Sequence, residues 1–79
     1  MVDISKIKIG DKVHYVPFDG CDESLIENGM VKEMPGHTNT SIRVVYSCGG
    51  NWNDYMNYTS QLTPINKLGM GWKHNPLNL

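Results

Sequence analysis

Glycine, asparagine and proline interrupt this chain every few residues, and no long apolar pattern of helical period survives between them. Glycine weakens a helix interior through backbone entropy, and proline through its missing N–H and its ring. The segments left over are short and rich in β-branched and aromatic residues, which is how strands read. Length adds a second bound. Seventy-nine residues make one domain, residues 1–79, with a core expected over 6–73 and a tail over 74–79.

Along the chain, residues 7–12 form an apolar lead-in and a turn at Gly10-Asp11. A first strand is expected over 12–18, with Val13 and Tyr15 on one face and Pro17 weakening its end. Residues 19–28 make a long acidic loop carrying Asp19, Asp22, Glu23 and Glu27. Within it, 22–27 can form one helical turn capped by Asp22 and stopped by Gly29. The second strand is expected over 30–34, closed by Pro35-Gly36, with 37–40 as a polar connection. The third, 41–48, is the clearest: Ile42, Val44, Tyr46 and Cys48 alternate with Arg43, Val45 and Ser47. A fourth is expected over 60–63 and a last short one over 70–73. Between them lies a one-turn helix with Thr63 as cap, Pro64 at its first position and Gly69 past its end. This order predicts an all-β fold, a small SH3-like barrel of four or five strands with one or two short helical turns. An OB-like or open-sheet arrangement is the alternative.

Charge and cysteine usage narrow the classes of partner. The net charge is −1, and the seven basic residues are scattered without forming a block. The phosphate-backbone attraction of a duplex-binding domain is therefore not expected. No apolar run reaches the length of a membrane span, and the N-terminus lacks the apolar stretch of a signal peptide, so the expected location is the cytoplasm. In a reducing compartment Cys21 and Cys48 are expected as free thiols. His14, His37 and His74 share no ligand spacing with either cysteine, so no metal and no cofactor are expected.

The candidate working surface is residues 51–60. One tryptophan, two tyrosines, three asparagines and two hydroxyls stand there beside a single charge, Asp54. Flat rings stack on ligands while amides and hydroxyls read polar edges. Trp52, Tyr55 and Tyr58 recur at three-residue spacing, which lines them up on one side of a helical or 3₁₀ turn. Trp52 is expected to serve the core in part. The ligand-binding set is Asn51, Trp52, Asn53, Tyr55, Tyr58, Thr59 and Ser60, with Arg43 as the phosphate contact because its planar fork matches an oxyanion. Lys12 and Lys32 would add charge beside Arg43 if the first two strands pair with the third. No paired acid and base or activated nucleophile is present, so no catalytic residues are expected.

Residues 7–13, 27–32 and 42–46, with the ending Trp52-x-x-Tyr55-x-x-Tyr58-Thr59, Thr63 and Leu68-Gly69-x-Gly71-Trp72, resemble small SH3-like, KOW-like barrels encoded in phage and prophage genomes. The resemblance implies a stand-alone, non-enzymatic binding protein working in the host cytoplasm. Small proteins of that origin sequester nucleotide immune signals, an anti-defence role, or block a host protein; KOW-type modules bind RNA or ribosomal partners. A small nucleotide is the expected ligand. Because so small a domain encloses a ligand best between subunits, a homo-oligomer is expected.

Overall fold

The computed structural model describes residues 5–34, 40–46 and 48–73. Five strands run through them: β1 Lys12–Tyr15, β2 Glu27–Glu33, β3 Ser41–Val45, β4 Gln61–Pro64 and β5 Leu68–Met70. They pair antiparallel in one sheet of order β4-β3-β2-β1-β5. The fold is all-β and fits a small SH3-like barrel. Among the described residues the helical elements are three 3₁₀ turns, Glu23–Leu25, Trp52–Asn57 and Ile65–Lys67, against the one or two expected.

The inner face of the sheet holds the core. Val13, Val31, Ile42, Val44 and Leu68 are buried there with Ile7, and Tyr15, Met34, Tyr46 and Ile65 pack around them. Register puts these residues on one face: Val31 stands opposite Val44, Ile42 opposite Thr63, and Tyr15 opposite Leu68. Ile7 joins them because the chain folds back at Gly10, whose φ of 92° suits glycine. The Asp11 carboxylate accepts from the Lys8 amide at 2.9 Å, and the Gly10 and Asp11 backbones bond to Val31.

Several boundaries differ from expectation. β1 stops at Tyr15 rather than residue 18, and Pro17 already lies in the loop. β2 begins at Glu27, so Gly29 is a strand residue and not a helix stop. Its lack of a side chain is used for space: a Cβ at Gly29 would come within 2.5 Å of Val44 Cγ1 and 3.0 Å of the Tyr46 ring. Asp22 precedes the first 3₁₀ turn but makes no side-chain cap. β3 ends at Val45, short of Cys48. Pro64, not Thr63, occupies the cap position of the turn before β5, and Gly69 lies inside β5. The Pro35-Gly36 turn, residues 37–39, Ser47 and the 74–79 tail lie outside the described residues.

Register also defines the outer face. One row across it is Lys12, Met30 and Val45; the next is Asn28, His14 and Gly69. Val45 is 0 % exposed and His14 8 % although both point away from the core. The candidate site forms on this face.

Candidate functional site

Residues 52–57 fold as a 3₁₀ turn, as their three-residue spacing predicts, with Asp54 leaving helical geometry midway at φ −116°, ψ 21°. The side chain of Asn57 donates to Asp54 Oδ1 at 2.6 Å and fixes the second half of the turn. Behind it, Gly49 and Gly50 take positive φ, and the Asn51 amide bonds Cys48 O at 2.9 Å. The turn packs against β2, and Lys32 Nζ donates to Tyr58 O at 2.7 Å.

Alternation along β2 already puts that lysine on the outer face with Met30, and a register shift turns the next residue outward as well. Val31 pairs with Val44 and Glu33 with Arg43, leaving Lys32 as the extra residue of a bulge. A bulge re-aims side chains in this way, so Lys32 and Glu33 both serve the outer face.

The second tryptophan completes the group. Trp52 and Trp72 meet with ring centroids 4.8 Å apart at 49°. Trp72 Nε1 donates to Gly29 O at 2.9 Å, and Lys12 Nζ stands 4.6 Å from the Trp72 ring centroid. A cation in that position is held by the negative face of the indole. Lys73 N bonds Asn28 Oδ1 at 2.9 Å, which anchors the chain past Trp72 to β2. Two half-buried indoles and two ammonium groups thus share the outer face of β1 and β2.

The predicted residues divide by role. Trp52, expected to serve the core in part, is half-buried against Trp72 and stands apart from the inner-face cluster and the side chains packed on it. Tyr55 is half-buried with its hydroxyl over Gly10, 3.4 Å from where a Cβ there would sit. Tyr58 is half-buried, and its hydroxyl accepts from Asn51 Nδ2 at 3.0 Å. Asn51, Asn53 and Thr59 are exposed and Ser60 is half-buried. Arg43 is not brought into this group by any bond: it pairs with Glu33 at 3.9 Å, both side chains being exposed, and stands between Glu33 and Leu62 in the register. The two lysines expected beside Arg43 attach to the aromatic patch instead. The sequence reading places Trp72 in the short last strand and not in the ligand-binding set. Its signal in the sequence was that a chain with two tryptophans seldom spends one on an exposed strand end.

A second group lies at the far end of the inner face. Tyr46 donates to Thr63 Oγ1 at 2.8 Å, because the threonine hydroxyl itself donates to Gln61 O at 3.2 Å. Tyr15 meets Tyr46 edge-on at 6.0 Å. Burial pushes the Tyr46 hydroxyl up to about 12, with the charges of Glu27 and Tyr15 adding to the rise. Beside the two tyrosines is a cavity of about 140 Å³ that reaches Leu62 and Pro64 of β4.

Cys48 is buried and Cys21 half-buried, and neither is bonded to the other. Among the described residues no three metal-type ligands gather, and no helix is long and apolar enough to cross a membrane. His37 and His74 lie outside the described residues. No protein-family model, curated protein or solved structure matches this chain.

Proposed function

We propose that this chain is a non-enzymatic binding protein of the small phage type that sequesters a nucleotide on the outer face of its sheet. The observation that carries the reading is the Trp52–Trp72 pair with Lys12 over the Trp72 ring and Lys32 bonded to Tyr58 O at the end of the turn that carries Trp52. Stacking a base on an aromatic face contributes roughly 1–3 kcal/mol. A lysine ammonium supplies the point charge that a phosphate takes. Tyr58, Asn51 and Thr59 border the patch with hydroxyls and amides that suit a base edge or a ribose. Sequestration needs tight binding and no turnover.

Both indoles are only half-buried, so a nucleotide stacked on them keeps much of its surface in water unless a second copy covers it. A homo-oligomer with the ligand between subunits meets that need. Titration calorimetry with a panel of cyclic and linear nucleotides, on wild type and on Lys32→Met, tests the reading. Binding that weakens at least tenfold in Lys32→Met supports it; no heat from any member of the panel with folded protein removes it.

A second reading, a module that docks on a host protein, is favoured by Leu62. It is 62 % exposed on edge strand β4, next to Arg43 on the outer face. Interface anchors are commonly apolar or arginine side chains of this kind, although leucine is less frequent among them than tryptophan or tyrosine. A pull-down from host lysate that retains one protein on wild type and loses it on Leu62→Asp would support this reading over the first. Retention unaffected by that change would end it.

A further inference from the structure

On the outer face, beyond the Trp72 patch, β1 and β5 border a cavity of about 420 Å³. That volume lies within the range of small-ligand sites. Its walls include His14 of β1, Gly69 of β5, Phe18 and Asp19 of the loop after β1, and Asn66 and Lys67 of the turn before β5. His14 is its most built element. The ring is only 8 % exposed, and Nδ1 stands 2.9 Å from Gly71 O. A carbonyl can only accept, so Nδ1 is the donor here, and the tautomer with its proton on Nδ1 has Nε2 as an acceptor. The Cε1–Nε2 edge lies directly over Gly69, where any side chain would collide with it, and Gly69 is itself part of the cavity wall. The fold therefore spends a glycine to hold one imidazole acceptor at this cavity.

The remaining walls define what such an acceptor would meet. Asp19 offers a carboxylate, which also accepts, and Asn66 an amide, which does both. Lys67 is partly committed, donating to Pro17 O at 2.9 Å. Phe18, 54 % exposed, presents a ring that nothing in the core requires. Acceptors beside an open aromatic face suit a flat ligand that brings N–H donors.

We propose that this cavity is a second binding site, for a planar nitrogen heterocycle bearing an amino group, with the two amino N–H groups donating to His14 Nε2 and Asp19 and the ring stacked on Phe18. It is independent of the nucleotide patch, because it uses neither indole and neither Lys12 nor Lys32.

The test uses adenine, and purine as the same ring without the amino group. Nuclear magnetic resonance of the whole chain follows the carbon-bound ring protons of His14 and Phe18 and the indole N–H signals of Trp52 and Trp72. The expected result is that adenine shifts the His14 and Phe18 signals in a saturable way and leaves the indoles in place. Purine should bind more weakly by at least about five- to tenfold, the loss expected for one of the two hydrogen bonds. Phe18→Ala, a change at an exposed residue that leaves the fold intact, should weaken adenine about tenfold or more. Asp19→Asn, likewise exposed, should weaken adenine but not purine. The proposal is overturned if His14 does not respond to adenine up to its solubility limit, or if purine and adenine bind equally. Shifts confined to the indoles would overturn it too, while leaving the nucleotide patch standing.

Discussion

The two faces of this sheet are built by different means. The inner face is filled by β-branched and aliphatic side chains that need no partner beyond one another: Val13, Val31, Ile42, Val44 and Leu68. The outer face carries buried Val45, two half-buried indoles, two lysines and a 3₁₀ turn, joined by the Trp52–Trp72 ring contact and by directional bonds, with His14 held beyond the indoles against Gly69 and Gly71. Apolar packing tolerates shape changes that conserve volume. A patch held by Trp72 Nε1 on Gly29 O and Lys32 Nζ on Tyr58 O depends instead on the positions of a few atoms. The inner face thus carries stability, and the outer face carries chemistry that a ligand can share.

The largest effects should fall on the inner face. Ile42→Ala empties a fully buried position in a domain with little core to spare and should cost about 2–5 kcal/mol, read as a lower urea midpoint. An equal loss from Trp52→Ala would break the contrast, since that ring is only half-buried. Gly69→Ala should come next, at about 1–3 kcal/mol, because its Cβ would overlap the His14 ring. The cause is checked by repeating it in a His14→Ala background. Most of the cost should disappear there, giving a clear coupling energy in the double-mutant cycle. Additive costs would mean that strand backbone, and not the imidazole, sets the requirement for glycine.

Tyr46 sharpens the comparison at the mouth of the inner face. Its hydroxyl is held up at about 12 by burial, whereas in the unfolded chain it ionises near 10. The folded state therefore keeps a proton that the unfolded state releases. Below pH 10 both states are protonated and the residue adds no pH dependence. Between about pH 10 and pH 12 the unfolded state gains, and stability falls as pH rises. Tyr46→Phe should flatten that fall in urea titrations across the window. At neutral pH it should cost about 0.5–1.5 kcal/mol for the lost bond to Thr63, whose own hydroxyl stays bonded to Gln61 O. An unchanged alkaline slope would assign the loss of stability to other groups.

The inner face was the legible part of the sequence. Alternation in residues 42–46 and the pairing of Val13 with Tyr15 identify its contributors, because period-two burial leaves a direct trace in residue order. The three-residue spacing of Trp52, Tyr55 and Tyr58 likewise announced the 3₁₀ turn. The outer face was harder to read because it is assembled from distant segments. Trp72 meets Trp52 across the sheet, and His14 meets Gly71 over 57 positions of sequence. The bulge at Lys32 depends on two registers at once, so no local pattern marks it. Gly29 and Gly69 look like punctuation in the sequence, yet both stand inside strands where a neighbouring side chain needs the space.

The smallest effect belongs to Arg43, and it bears most directly on how the outer face works. Its fork made it the natural phosphate contact, but the fold gives it Glu33 as partner at 3.9 Å and gives Lys12 and Lys32 to the aromatic patch. Exposed ion pairs of this kind contribute about 0–1 kcal/mol. Arg43→Ala should therefore leave the urea midpoint nearly unchanged. If phosphate is taken by the lysines, nucleotide affinity in Arg43→Ala should stay within about twofold of wild type, the scale of a screened charge one row away. Lys12→Met and Lys32→Met should each lose far more. A large loss in Arg43→Ala alone, with the lysine variants unaffected, would move the anion contact to the β3–β4 edge beside Leu62 and leave the indole pair as a structural lid.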